Sequence, residues 1–206
     1  MQKKINQPLI RKALKHLKAA DPVLSEVIIR HGPCTLKPSS DAPFHALASS
    51  IISQQISAGA ARSIKGKLFA DLGVEQFTSE NILGLTPRHL KEAGLSRSKQ
   101  DYLRGIALAI QNGELEFDFL AKCEDEEIVA KLTALKGVGK WTAEMFLIFG
   151  LGRPDILSLG DVGIKRGFKL VYGLQEVPTE DKMILISEPW RPYRSIASWY
   201  LWRSID

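Results

Sequence analysis

Two parts of this chain carry residue types and spacings that could do chemistry. One is the glycine turn Leu135-Lys136-Gly137-Val138-Gly139-Lys140-Trp141-Thr142; the other is Asp161, about twenty residues later, followed by Lys165 and Arg166. Gly137 and Gly139 have no Cβ, so a ligand backbone can come close to theirs. The helix that opens at the turn begins with amide protons that have no intrahelical partner, its dipole favours an anion, and Lys140 adds a cation. Asp161 is of the opposite kind. A carboxylate at the start of a helix is favoured as the anion by the same dipole. It is either a helix cap or a group that faces developing positive charge and water. The two readings are compatible.

Helical periodicity positions these residues. Ile10, Leu14 and Leu17 space one apolar face, and Asp21-Pro22 reads as an N-cap with proline at the first helical position of a helix that stops at His31-Gly32-Pro33. Pro43 opens a mostly apolar helix over 44–52, which predicts burial on most sides. Further helices are predicted over 58–72, 87–93, 98–112, 125–132, 141–149, 163–172, 179–187 and 192–203, and the acidic run 124–127 reads as a solvated helix start. Val27-Ile28-Ile29 and Ile184-Leu185-Ile186 sit inside helical frames, and no alternating pattern is long enough for a sheet. The fold class is therefore all-α, with short helices joined by tight turns.

Composition narrows the function classes. With 206 residues, 45% hydrophobic and 25% charged, the chain suits a globular fold with one core or two small lobes. The net charge of +5 leans towards a polyanionic partner. Cys34 and Cys123 stand far apart, so no zinc site, iron–sulfur cluster or disulfide framework is legible, and a reducing compartment is expected. His16, His31, His45 and His89 are scattered singly and read as structural or solvated. No window approaches the length of a membrane span, so no membrane partner is expected. The expected location is cytoplasmic and nucleoid-associated in a bacterium or archaeon, nuclear in a eukaryote.

Several stretches together resemble one family. The Gly-Val-Gly hairpin, one intervening helix, a loop and then Asp161 are similar to the signature of the helix–hairpin–helix (HhH-GPD) DNA glycosylase superfamily. Its alkylbase branch, the DNA-3-methyladenine glycosylase II type, is the nearest likeness. Asp21-Pro22-Val23-Leu24 resembles the family's first helix start, and Ile52-Ser53-Gln54-Gln55-Ile56-Ser57 its glutamine-rich minor-groove loop. Gly94-Leu95-Ser96-Arg97-Ser98-Lys99 resembles a Gly-Leu-Ser-x-x-Lys turn, and Pro189-Trp190-Arg191-Pro192-Tyr193-Arg194-Ser195 a C-terminal tryptophan–proline–aromatic–Arg-Ser run. Each motif is weak, but four in the right order are specific, and they cover roughly residues 20–204.

The resemblance implies one glycosylase domain over 1–206, a two-lobed helical bundle with the helix–hairpin–helix at about 125–149 and a base cleft between lobes. It implies Asp161 as the catalytic carboxylate and Trp202, Trp141 and Met145 as the base pocket, where aromatic faces attract a cationic base. Trp190 and Trp199 read as packing residues. Gln54, Gln55 and Ile56 would meet DNA from the minor groove, with Gln55 filling the space of the extruded nucleotide. Gly137, Val138, Gly139, Lys140 and Thr142 would hold its backbone. Members that also cut the strand place a lysine directly before the Thr-Ala of the second hairpin helix; here that residue is Trp141. Lys140 is one residue earlier and about 100° away round the helix, so it reads as a phosphate or surface lysine. The four-cysteine cluster of the endonuclease III and adenine glycosylase branches is not seen in this sequence, nor is the N-terminal β-rich domain of some alkylbase glycosylases.

The implied activity is monofunctional excision of alkylated purines from double-stranded DNA by a monomer. No cofactor or catalytic metal is required, although a monovalent cation at the hairpin is possible by the resemblance. Two departures stand out: Met145 occupies a position that is aromatic in some relatives, and Gly160 one that is acidic in many. A non-catalytic helix–hairpin–helix DNA-binding module would explain the hairpin and the charge equally well. A glycosylase for another damaged base is the remaining alternative.

Overall fold

The computed structural model describes residues 4–39 and 42–205, and among these there is no β-strand. The chain forms two compact bodies: Ser39–Leu151 is one, and both flanking segments, up to Pro38 and from Gly152, make the other.

The body built from the chain ends begins with α1 (Gln7–Ala20) and α2 (Pro22–His31). Asn6 caps α1 by accepting from the Leu9 amide, and α1 buries Ile10, Ala13 and Leu17; Leu14 is only half-buried, so the apolar face is centred one residue earlier than its spacing suggested. Asp21 joins the two helices. Its amide donates to Leu17 O, and its Oδ1 accepts from the Leu24 amide at 2.9 Å. Its other oxygen, Oδ2, accepts from the Tyr172 hydroxyl and from Trp190 Nε1. Burial first, and then the bond to Asp21, raises the Tyr172 phenol above its ordinary value and keeps it a donor.

The rest of this body is α11 (Val162–Val171), α12 (Glu180–Ser187), a 3-10 turn (Glu188–Trp190) and α13 (Arg194–Arg203). Trp190 is fully buried and stacks on Phe168, ring centres 5.2 Å apart and 12° between planes. The crossing of α11 on α13 depends on Gly167, where a Cβ would come within 2.8 Å of both Cβ and O of Leu201. Arg194 then fixes the loop ahead of α11, donating from Nε to Asp155 Oδ1 at 2.8 Å and from Nη2 to Oδ2 at 3.0 Å. Ser195 Oγ donates to Arg153 O and accepts from the Ile156 amide. The C-terminal Arg-Ser pair thus staples residues 153–156, which lead into Asp161. Proline 192 lies outside α13, since Tyr193 is the N-cap residue at φ −129°, ψ 28°.

In the second body α3 (Pro43–Ser53) buries seven side chains, among them Phe44, Leu47, Ile51 and Ile52, as its nearly unbroken apolar sequence predicts. Around it are α4 (Ala58–Leu72), α5 (Ser79–Gly84), α6 (Pro87–Glu92), α7 (Arg97–Gln111) and the single turn α8 (Phe117–Leu120). Helix α9 (Asp125–Thr133) leads through the glycine turn to α10 (Lys140–Met145). The continuous helix expected over 141–149 widens into a π-helical turn, Phe146–Gly150, closed by the Leu151 amide on Phe146 O. Gly150 permits this, because a Cβ there would meet the Phe146 ring at 2.8 Å.

Candidate active site and nucleic-acid interface

Asp161 is the N-cap of α11 and is 7% exposed. Its Oδ1 accepts two bonds, from the Ile164 amide at 2.6 Å and from Trp202 Nε1 at 3.0 Å. One bond is local and set by the cap; the other arrives from α13 and fixes the direction of the carboxylate. Gly163 leaves room for this pair, since its Cβ would stand 3.0 Å from both Asp161 Oδ1 and Trp202 Cδ1. Gly160 is exposed with no atom within 4 Å of a built Cβ, so the site has space for the acidic side chain that the resemblance led us to expect there.

The bond changes what Trp202 offers. Its ring is half-buried, and its N–H is committed to Asp161, so it holds the carboxylate as well as presenting an aromatic surface. Trp202→Phe keeps a ring and removes the donor. A hydrogen bond to a charged group contributes about 1.5–3 kcal/mol, so if Asp161 is the catalytic carboxylate that the resemblance implies, single-turnover base release should fall roughly tenfold or more. DNA affinity should change little; an equal loss in affinity and rate would assign Trp202 to binding alone.

The hairpin is built differently from the expectation that both glycines bare their backbone to a ligand. Gly137 has φ +87°, and a Cβ there would fall 2.1 Å from Tyr102 Cγ, so its bare face is filled from within by α7. Gly139, with no atom within 4 Å of a built Cβ, is the glycine whose open side could meet a ligand. Val138 is buried and its amide donates to Leu135 O at 3.1 Å, so neither its side chain nor its N–H is presented outward. Gly139 is the N-cap residue of α10 and no side chain caps it; the Ala143 amide bonds back to Gly139 O. Lys136 and Lys140 are exposed beside this turn, Trp141 is half-buried, and Met145 is buried.

The glutamine loop divides as well. Gln54 is not a free minor-groove side chain: its Nε2 donates to Gly137 O and to Thr142 Oγ1, both at 2.9 Å. That bond also occupies Thr142, which is 1% exposed and so is a brace inside the hairpin. Gln55 and Ile56 are exposed, and among the described residues Gln55 is the one non-glycine residue at positive φ, 54°. That conformation costs about 1–2 kcal/mol and persists only where neighbours enforce it.

A model of the HhH-GPD superfamily of base excision DNA repair proteins matches residues 48–192. The chain belongs to that superfamily. The matched HhH-GPD region contains the glutamine loop, the hairpin and Asp161. The chain is 34% identical over 197 residues to the alkylbase DNA glycosidase-like protein mag2 of Schizosaccharomyces pombe, covering 94% of this chain and 92% of that one. It is 31% identical to a DNA-3-methyladenine glycosylase of Bacillus subtilis, over 78% of this chain and 56% of the relative. Among solved structures, the Schizosaccharomyces pombe 3-methyladenine DNA glycosylase Mag1, in complex with abasic DNA, superposes with a TM-score of 0.82 at 30% identity. The match covers 94% of this chain and 96% of that one.

Three residues of this HhH-GPD site had no role in the sequence reading. Tyr102 fills the space beside Gly137, Gly163 admits Trp202 to Asp161, and Lys99 donates from Nζ to Ile52 O and Gln54 O at 2.8 and 2.7 Å. Lys99 was visible only as the last residue of the Gly-Leu-Ser-x-x-Lys turn. Its partners lie 47 and 45 positions away in the chain, beyond the reach of any local pattern.

Proposed function

We propose that this chain is a monofunctional DNA glycosylase that hydrolyses the N-glycosidic bond of alkylated purines, of the 3-methyladenine and 7-methylguanine type, in duplex DNA and so initiates base excision repair. The observation that carries the reading is Asp161, a mostly buried carboxylate fixed by a helix amide and an indole N–H. An N-alkylated purine is cationic, so when its bond to C1′ breaks the base takes the bonding pair and leaves neutral. Positive charge then develops on the sugar. A preoriented anion stabilises that charge without reorganising, and water adds at C1′ and loses its proton, which Asp161 would accept. Water is the only co-reactant.

Extruding the base costs a few kcal/mol, least for a poorly paired lesion, and Gln55 is the residue to fill the gap it leaves. The hairpin's open Gly139 side and the exposed Lys136 and Lys140 grip the backbone. A monovalent cation there would take its ligands from backbone carbonyls of the turn. It would support the turn and take no part in bond breaking. Such an enzyme works where DNA lies, in a nucleoid or a nucleus.

Incubation with methylated duplex DNA tests the reading. Free 3-methyladenine or 7-methylguanine should appear, with strand breaks only after alkali or heat. Breaks without that treatment, or an adduct trapped by borohydride, would contradict the assignment of Trp141 to the position of the strand-cutting lysine. DNA binding without release of any base from a lesion panel would leave a non-catalytic DNA-binding module.

A further inference from the structure

The exposed loop at Gln55 is held from two sides by residues whose polar ends are bonded within the protein. Gln54 Nε2 bridges Gly137 O and Thr142 Oγ1, tying the loop to both ends of the glycine turn. Lys99 Nζ bridges Ile52 O and Gln54 O, the carbonyls at the C-terminal end of α3. Those carbonyls have no intrahelical donors, and the negative end of the helix dipole favours a cation there. Partial burial lowers the Lys99 pKa below the usual lysine value, and the ammonium keeps two carbonyl partners there. Tyr102, three residues further along α7 and on the same face, lies under Gly137. Helix α7 therefore holds the end of α3 with one residue and the turn with the other, while Gln54 closes the ring between them.

Gln55 is the next residue, and its left-handed backbone is what such over-determined surroundings permit. We propose that Gln54 and Lys99 are positioning residues that register the Gln55 loop to the hairpin, so that the phosphate gripped by the turn fixes where Gln55 enters the duplex. The inference rests on the glycosylase reading. Its physical content is preorganisation: a loop free to move would have to be ordered at the moment the base leaves the stack.

Gln54→Met and Lys99→Met remove the donors and keep unbranched side chains of similar length. The substrate is a duplex with 7-methylguanine opposite cytosine, compared with one in which 7-methylguanine faces an abasic analogue and has no pairing to break. Each variant should lose about 10- to 30-fold in single-turnover rate on the paired substrate, come within about threefold of wild type on the unpaired one, and bind undamaged duplex within about twofold of wild type. The unpaired substrate serves as the folding control. 2-Aminopurine placed beside the target should brighten with wild type and much less with the variants. Equal losses on both substrates, or an unchanged 2-aminopurine signal, would overturn the proposal. Absence of release by the wild-type protein would instead defeat the glycosylase reading, and the fluorescence comparison would still report whether the brace directs insertion.

Discussion

Asp161→Asn is expected to slow base release from alkylated duplex DNA by at least about 10²–10³-fold, the loss typical of removing one preorganised electrostatic group. The substitution isolates charge from structure. An Asn oxygen can accept from the Ile164 amide and from Trp202 Nε1 as Asp161 Oδ1 does, and Asn is as good an N-cap as Asp. The thermal midpoint should therefore stay within about 2 °C of wild type. Duplex affinity should hold or rise, because an anion is lost facing a polyanion. Single-turnover excision, a melting curve and a binding isotherm at one salt concentration suffice. Release at the wild-type rate would remove Asp161 from the mechanism and leave the helix cap as its whole role.

How far this site was legible depended on whether the deciding contacts are local. The cap-and-proline pair Asp21-Pro22 starts α2, and α4 runs over the span its pattern predicted, because these signals act within a few residues. Helices α5 and α8, of six and four residues, were too short for a 3.6-residue period to register, although Thr78 and Asn81 form a capping box that was readable in principle. Asp161 was legible as a cap, whereas its bond to Trp202, 41 positions away, was not. Gln54 shows the cost of reading by neighbourhood. Next to Gln55 in sequence it looked like a second DNA contact, and the fold turned its carboxamide to a turn 83 positions on. Polarity is visible in a sequence, but the partner that satisfies it is set by the packing of helices.

Gly137→Ala is expected to destabilise the protein by about 2–4 kcal/mol. Two costs combine. The residue sits at φ +87°, which an L side chain rarely adopts, and the new methyl would lie 2.1 to 2.6 Å from Tyr102 Cγ, Cδ2 and Cδ1. Those atoms are the root of a rigid ring on α7 rather than the tip of a flexible chain, so relief requires moving the ring or opening the turn. In a Tyr102→Ala background the steric part should vanish and the remaining cost fall to about 1–2 kcal/mol, giving a coupling that thermal or denaturant melts can read. Gly139→Ala should behave in the opposite way. Its φ is −89° and nothing lies within 4 Å of a built Cβ, so stability should hold while the methyl stands on the open side of the turn. If that side receives a DNA phosphate, duplex affinity at fixed salt falls for Gly139→Ala with no change in melting. Unchanged affinity there, with intact folding, would mean that the backbone grip lies elsewhere on the hairpin. The two glycines look alike in Gly-Val-Gly, yet one serves the interior and the other the surface, and only a paired measurement of stability and binding separates them.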